Sequence, residues 1–322
     1  LKSQGSYTTA DTDRATDGSN RIIFIVGPTA IGKTELAICI AQMFNGEIIS
    51  ADSRQVYRFM DVGTSKPSMS QQGTIQHHLL DVVDPDGEFT LAQFLNDTKI
   101  AVSDIRSRNK LPIVVGGTGQ YIMAFLEGWQ VPNVPPNPIL RNNLEKQAKE
   151  HGALHIYSQL QRLDPITASS IDYRNVRRVI RALETCISTG APSRNIRNKI
   201  PLNDRTLVIG LTTPRDKLYK RIDTRVDKMM RNGLEEEVAS LINKGYRSSL
   251  ASMSSLGYRE MALYINDSIT YDAAVQKMKY ETHRFARNQY TWFSLKDSRI
   301  RWLNQNCSLV TLASEVVENF LY

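Results

Sequence analysis

Five short apolar runs punctuate an otherwise mixed chain: 22–26 (IIFIV), 47–50 (EIIS), 111–116 (LPIVVG), 206–211 (TLVIGL) and 300–304 (IRWLN). Their brevity and apolar character predict strands. Between them, apolar positions recur at helical spacing over 34–44, 91–107, 215–230 and 233–243. Strands alternating with helices predict an α/β fold built on a parallel, doubly wound sheet. Ligands of such sheets bind at the carboxyl ends of the strands. One interval breaks the rhythm. The stretch between 111–116 and 206–211 is far too long for a single crossover, opens on the proline-rich WQVPNVPPNPIL (129–140), and continues with helical patterns at 138–150 and 153–163. The chain therefore divides into a tail (1–20), a P-loop core (21–130), a helical insertion domain (131–202) and the remainder of the core with C-terminal helices (203–322). The tail has almost no core-forming side chains and reads as disordered. It lacks the apolar segment of a secretory signal, and its three aspartates argue against a transit peptide.

The first predicted strand runs into GPTAIGKTELAI (27–38), which carries the GxxxxGK[ST] spacing through Gly27, Gly32, Lys33 and Thr34. The glycines let backbone N–H groups converge on phosphate oxygens, and the following helix adds its positive end. Lys33 supplies a point charge, and the Thr34 hydroxyl can ligate Mg²⁺. A hydrolase of this kind ends a later strand with an aspartate that helps hold the metal. Here the strand 111–116 runs into GGTGQY without a carboxylate, whereas 47–50 runs into ADSRQVY and places Asp52 at the carboxyl edge. On its own Asp52 reads equally well as a turn-capping surface residue. Two glycines and Thr118 at the neighbouring strand end favour a joint site. The loop is a phosphate cradle without the usual hydrolytic apparatus, and whether it holds a nucleotide triphosphate or another pyrophosphate stays open.

Composition narrows the partners. The 322 residues are 41% hydrophobic and 23% charged, enough for one large core and an appended domain. No apolar run approaches the ~20 residues of a membrane span. Three widely spaced cysteines, Cys39, Cys186 and Cys307, point to reduced thiols in a cytoplasmic protein. A net charge of +7 favours a polyanionic partner without deciding it. Residues 171–200 hold seven Lys/Arg against two acids, and 277–301 again seven against two, here interleaved with Tyr280, Phe285, Tyr290, Trp292 and Phe293. Each run alone reads equally as a solvated helix face; together, phosphate contacts and stacking aromatics suit a folded RNA loop. His77-His78 lack partner ligands and read as surface or turn residues. Leu234, Val238, Leu241 and Ile242 read as core, while Arg221 and Arg225 face either the cradle or an exposed ion-pair ladder.

The segments GPTAIGKT, ISADSRQVYRFMDVGTSKP (49–67), GGTGQY (116–121), RNVRRVIRALE (174–184), NGLEEEV (232–238), SLGYRE (255–260) and RFARNQYTWF (284–293) occur in this order. Together, over about residues 20–305, they resemble the tRNA dimethylallyltransferase (tRNA isopentenyltransferase) family, in its short bacterial form without a zinc module. The resemblance implies transfer of a dimethylallyl group from its diphosphate to N6 of an adenine beside the anticodon of tRNA. Gly27, Thr29, Ala30, Gly32, Lys33, Thr34 and Arg221 would hold the diphosphate, with Mg²⁺ on Thr34. Asp52 would be the base, and Thr118 would stabilise charge on the leaving oxygen. By the same resemblance Asp52, Ser53, Arg54, Gln55, Arg141, Arg177, Arg178 and Arg181 would contact tRNA, and Arg284 and Arg287 of the second basic run would join them. Arg54, Gln120 and Asn288 depart from the family's usual residues. A single RNA hairpin needs only a monomer. The alternatives are a prenyltransferase acting on free adenine nucleotide, an ATP-dependent small-molecule kinase and a non-catalytic RNA-binding protein. A mononucleotide needs neither the insertion nor the basic clusters.

Overall fold

The computed structural model describes residues 20–131, 134–192, 199–305 and 308–322. Apart from Asn20, the tail lies outside the described residues, and so does Cys307. Six strands, β1 (Arg21–Val26), β2 (Gly46–Ser50), β3 (His77–His78), β4 (Leu111–Gly116), β5 (Arg205–Thr212) and β6 (Ile300–Asn304), form one sheet in the order β3-β2-β4-β1-β5-β6. Every neighbouring pair is parallel, so the doubly wound α/β architecture is the one observed. β1 lies at the centre, and Ile22 to Val26 are fully buried. A parallel strand covered on both faces has no polar side to show, which is why it reads as an unbroken apolar run.

Helices α1 (Lys33–Met43), α2 (Met69–Thr74), α3 (Leu91–Ser107) and α4 (Gly119–Leu126) precede the insertion. It contributes α5 (Pro138–His151), α6 (Ala153–Leu163), α7 (Pro165–Ser169) and α8 (Val176–Thr189). After it come α9 (Arg215–Arg231), α10 (Leu234–Asn243), α11 (Tyr258–Ile265), α12 (Tyr271–Trp292) and α13 (Leu309–Leu321). Among the described residues no helix is long and apolar enough to cross a membrane.

The chain separates into two compact units, one reaching to Leu126 and resuming at Asn203, the other Glu127–Leu202. The second unit begins four residues ahead of the expected boundary at 131, because Trp129 bridges to Lys199 and Glu127 pairs with Lys199, closing its neck. Its core joins Leu144, Ile156, Leu160, Val179, Ile180 and Leu183. Glu184 is fully buried there, a position a carboxylate tolerates only when paired. Arg141 meets it through two bonds of 2.9 Å, Arg181 through Nη1, and the Asn137 N–H through a bond of 2.6 Å.

In the first unit, one core packs Ile23, Ile25, Leu36, Ile40, Ile209 and Val317 across the sheet. A second gathers Val56, Met60, Leu234, Val238, Tyr258 and Met278, with Ile242 at its margin. The histidine pair is not a turn. His77 and His78 form the edge strand β3 against Ile48 and Ile49, and both are half-buried. A two-residue strand carries too few side chains for its periodicity to show. His78 Nε2 lies 2.7 Å from the carboxylate of Glu47, which is buried and also holds Arg108 and Lys110. The hydrogen bonds from Arg108 outweigh burial and hold the Glu47 carboxyl at about 2.

Candidate active site

The site begins where β1 ends. The turn 27–32 delivers Lys33 and Thr34 to the start of α1, and Lys33 Nζ donates to the Pro28 carbonyl at 2.8 Å. From α9, Arg221 Nε donates to the Ala30 carbonyl at 2.8 Å. Thr29 N–H is held at 2.8 Å by Oε1 of Gln289, a buried residue of α12, whose Nε2 donates at 2.8 Å to the Gly117 carbonyl. One amide thus ties the turn after β1 to the turn after β4.

The ends of β2 and β4 interlock beside this bridge. Ala51 N–H donates to Val115, Thr118 N–H donates to Ala51, and Ser53 N–H donates to Thr118 Oγ1 at 3.0 Å. Asp52 turns back to accept from Arg54 N–H at 2.9 Å. Glycine is required at this crossing: a Cβ on Gly116 would stand 2.1 Å from the Ala51 carbonyl oxygen, and one on Gly117 2.3 Å from Gln289 Nε2. Asp52 and Thr118 therefore sit on adjacent strand ends for steric reasons written into GGTG.

Between these ends lies a cavity of about 80 Å³ whose wall includes Thr29, Lys33, Thr34, Asp52, Arg225 and Gln289. Its electrostatics are cationic. Burial, reinforced by the nearby Arg225, pushes Lys33 down to about 8, against the attraction of Asp52 and Glu35. Burial likewise lowers Arg225. Two cations crowded into one small space are stabilised by an anion placed between them. A segment of the rim is fixed from a distance: Glu237 of α10 accepts the N–H groups of Asp61, Val62 and Gly63, and also the hydroxyl of Tyr258. DVGTSKP, NGLEEEV and SLGYRE are thereby parts of one hydrogen-bonded brace that holds Ser65 and Pro67 in the cavity wall.

The residues singled out in the sequence separate into groups. The cradle residues, Asp52, Thr118 and Arg221 come together. Gln55 turns inward, accepting from Ser50 Oγ at 3.0 Å and donating to the carbonyls of Thr64 and Ser65 at 3.3 Å each. Arg54 donates to the Ala251 carbonyl, and Arg287 to the Tyr219 hydroxyl. Arg284 is exposed and only 4.0 Å from Glu281. In the second unit Arg177 and Arg178 are exposed, while Arg141 and Arg181 are engaged by buried Glu184. Sequence reasoning missed Gln289 and left Arg225 undecided. The signal for Gln289 was available: it stands on the stripe of α12 that buries Met278 and Ala286, where a polar amide needs partners.

A glycine-turn cradle and a carboxylate converging on a cationic cavity at the carboxyl edge of a parallel sheet define a P-loop fold whose cavity suits a phosphorylated ligand. The IPP transferase family profile matches residues 55–296. Over 272 residues the chain is 51% identical to a tRNA dimethylallyltransferase of Roseiflexus castenholzii, covering 84% of this chain and 89% of that one. Over 296 residues it is 47% identical to the same enzyme of Herpetosiphon aurantiacus, covering 92% and 94%. The full-length tRNA isopentenylpyrophosphate transferase of Bacillus halodurans superposes with a TM-score of 0.69 at 34% identity, covering 94% of this chain and 97% of that one. A eukaryotic dimethylallyltransferase solved acting on tRNA superposes at 0.80 with 27% identity, covering 93% and 79%. The chain belongs to the IPP transferase family.

Proposed function

We propose that this protein moves a dimethylallyl group from dimethylallyl diphosphate to N6 of an adenine beside the anticodon of tRNA, as a monomer in the cytoplasm. The observation that carries the reading is the interlock of Asp52 and Thr118 beside a cradle lined by Lys33 and Arg225. The allylic C–O bond breaks, the N6–C bond forms, and diphosphate leaves. The exocyclic nitrogen is a poor nucleophile because its lone pair is delocalised into the ring. Asp52 takes a proton from it as the allylic carbon is attacked. Thr118 Oγ1 accepts from Ser53 N–H, and its hydroxyl, which donates to Ser53 Oγ at 3.4 Å, turns to stabilise the departing oxygen. Lys33, Arg221 and Arg225 neutralise the diphosphate, which is a leaving group, so no attacking water needs positioning.

Oxygen donors at the cavity wall, Thr34 among them, suit a hard cation, and no group of three or more His, Cys, Asp or Glu side chains that could cage a metal occurs among the described residues. Thr34 and the ligand's oxygens would hold Mg²⁺, which supplies charge neutralisation on the leaving group. A stacked adenine cannot reach Asp52, so the target base leaves its stack and enters from the side opposite the diphosphate. Arg177, Arg178, Arg284 and Arg287 supply phosphate contacts. Arg141 and Arg181 hold the second unit together.

Labelled dimethylallyl diphosphate offered in parallel to total tRNA and to AMP tests this. Label in tRNA with release of pyrophosphate is expected. Label on AMP instead, or ADP production from ATP, overturns the reading.

A further inference from the structure

β3 places His77 on the wall of the same cavity. Its Nδ1 lies 2.7 Å from the Ile75 carbonyl. A carbonyl oxygen only accepts, so Nδ1 carries the proton of the contact. Burial pushes the ring's pKa down, outweighing the opposing bond to Ile75, and the imidazole is neutral. Nε2 is then a lone pair, and among the described residues this buried atom has no hydrogen-bond partner. Buried polar atoms left without partners are rare and each needs an explanation.

The cavity's chemistry restricts what that partner is. Diphosphate oxygens at neutral pH are acceptors and cannot serve a lone pair. The neighbouring Lys33 and Arg225 each give one bond to a carbonyl, of Pro28 and Thr64, and their remaining N–H groups are those that neutralise the diphosphate. A magnesium ion bound by substrate phosphates and one hydroxyl keeps several of its waters, and a metal-bound water is a strong donor. A direct bond from the imidazole nitrogen to so hard a cation is disfavoured against oxygen.

We propose that His77 Nε2 accepts a hydrogen bond from a water on the hydrated divalent cation, so that the site selects the magnesium complex of the diphosphate over the bare anion. His77 is thus a positioning residue for the metal complex. The inference rests on the magnesium reading above.

Calorimetric binding of inorganic pyrophosphate, with and without MgCl₂, to wild type, His77→Phe and His77→Gln tests it and separates the two readings. The wild type is expected to bind more tightly with magnesium. His77→Phe should lose about tenfold in affinity with magnesium, the scale of an outer-shell partner, and change little without it. His77→Gln, whose amide oxygen can reach the Nε2 position, should recover most of the loss. Magnesium-independent binding by the wild type sinks the metal reading, whereas full magnesium enhancement in His77→Phe overturns the role of His77 alone. Should the variants fail to fold, ¹⁵N resonances of wild-type His77 decide: Nε2 should stay unprotonated and shift with magnesium pyrophosphate but not with pyrophosphate alone. A protonated Nε2 in the complex, or a shift without metal, overturns the proposal.

Discussion

Replacing Gln289 with leucine isolates the amide that joins the two turns. The side chain is buried, and leucine is close to it in volume, so the change removes hydrogen bonds without opening a cavity. Two bonds of 2.8 Å disappear, leaving the Thr29 N–H and the Gly117 carbonyl without their partner. An orphaned buried group costs about 1–3 kcal/mol. The pair should therefore cost about 2–6 kcal/mol, which for a core of this size lowers the melting temperature by roughly 4–24 °C. Both groups flank the cradle, so pyrophosphate affinity should fall as well, by about tenfold, while far-ultraviolet circular dichroism stays unchanged. Gln289→Glu separates the two ends: a carboxylate still accepts from Thr29 but meets the Gly117 carbonyl with another acceptor and adds negative charge to the phosphate site. It should bind pyrophosphate more weakly than the leucine variant. Scanning calorimetry and isothermal titration read these effects. A leucine variant that melts within a degree of wild type and binds pyrophosphate normally would refute the bridge as a determinant of the site.

Asp52→Asn should keep pyrophosphate binding while single-turnover transfer slows by roughly 10²–10⁴; transfer at the wild-type rate would remove Asp52 as the base. Lys33→Met should abolish pyrophosphate binding yet raise the melting temperature at pH 7. The lysine's folded-state pKa is lowered to about 8 from 10.5, so its charge opposes folding below pH 8 and the penalty fades as pH rises from about 8 to 10.5. A stability gain equal at pH 7 and pH 10 contradicts that assignment. Neutralising Arg177 and Arg178 to glutamine should weaken tRNA binding and flatten its salt dependence, read by fluorescence anisotropy, with the melting temperature intact. Arg141→Ala should instead destabilise the second unit by about 3–5 kcal/mol in thermal melts, because it strips a partner from buried Glu184. Equal behaviour of the two sets would erase the distinction between surface and structural arginines.

The central strands and the cradle were legible because their physics is local. An apolar run such as IIFIV and a glycine turn before a helix carry their meaning within a dozen residues. Asp52 and Thr118 were legible as strand-end residues, but the glycine packing that sets them side by side is a tertiary fact. The rest depends on partners far along the chain. Gln289 meets Thr29 across 260 positions, and Glu237 meets the 61–63 segment across about 175. Arg141, Arg177, Arg178 and Arg181 look alike as a basic cluster, and only burial of Glu184 divides them. Arg221 and Arg225, four residues apart on α9, reach the Ala30 carbonyl and the cavity wall respectively. His77 resisted sequence reading because a two-residue strand has no period to detect.

The central place of β1 has a consequence for how the protein is made. β1 is flanked by β4 and β5, and β5 follows the insertion in the chain. During synthesis, therefore, the strand Arg21–Val26 can find only one of its neighbours until more than 200 residues have left the ribosome. Its other backbone edge, bordered by wholly apolar side chains, remains open through that interval, a template for pairing with another chain. The insertion Glu127–Leu202 is continuous in sequence and has a core of its own, so it can fold while the sheet waits. Gln289 and Glu237 arrive later still, which leaves the cradle unbraced until the final helices emerge. Translation speed across residues 127–212 thus sets how long a nascent chain carries an unprotected edge.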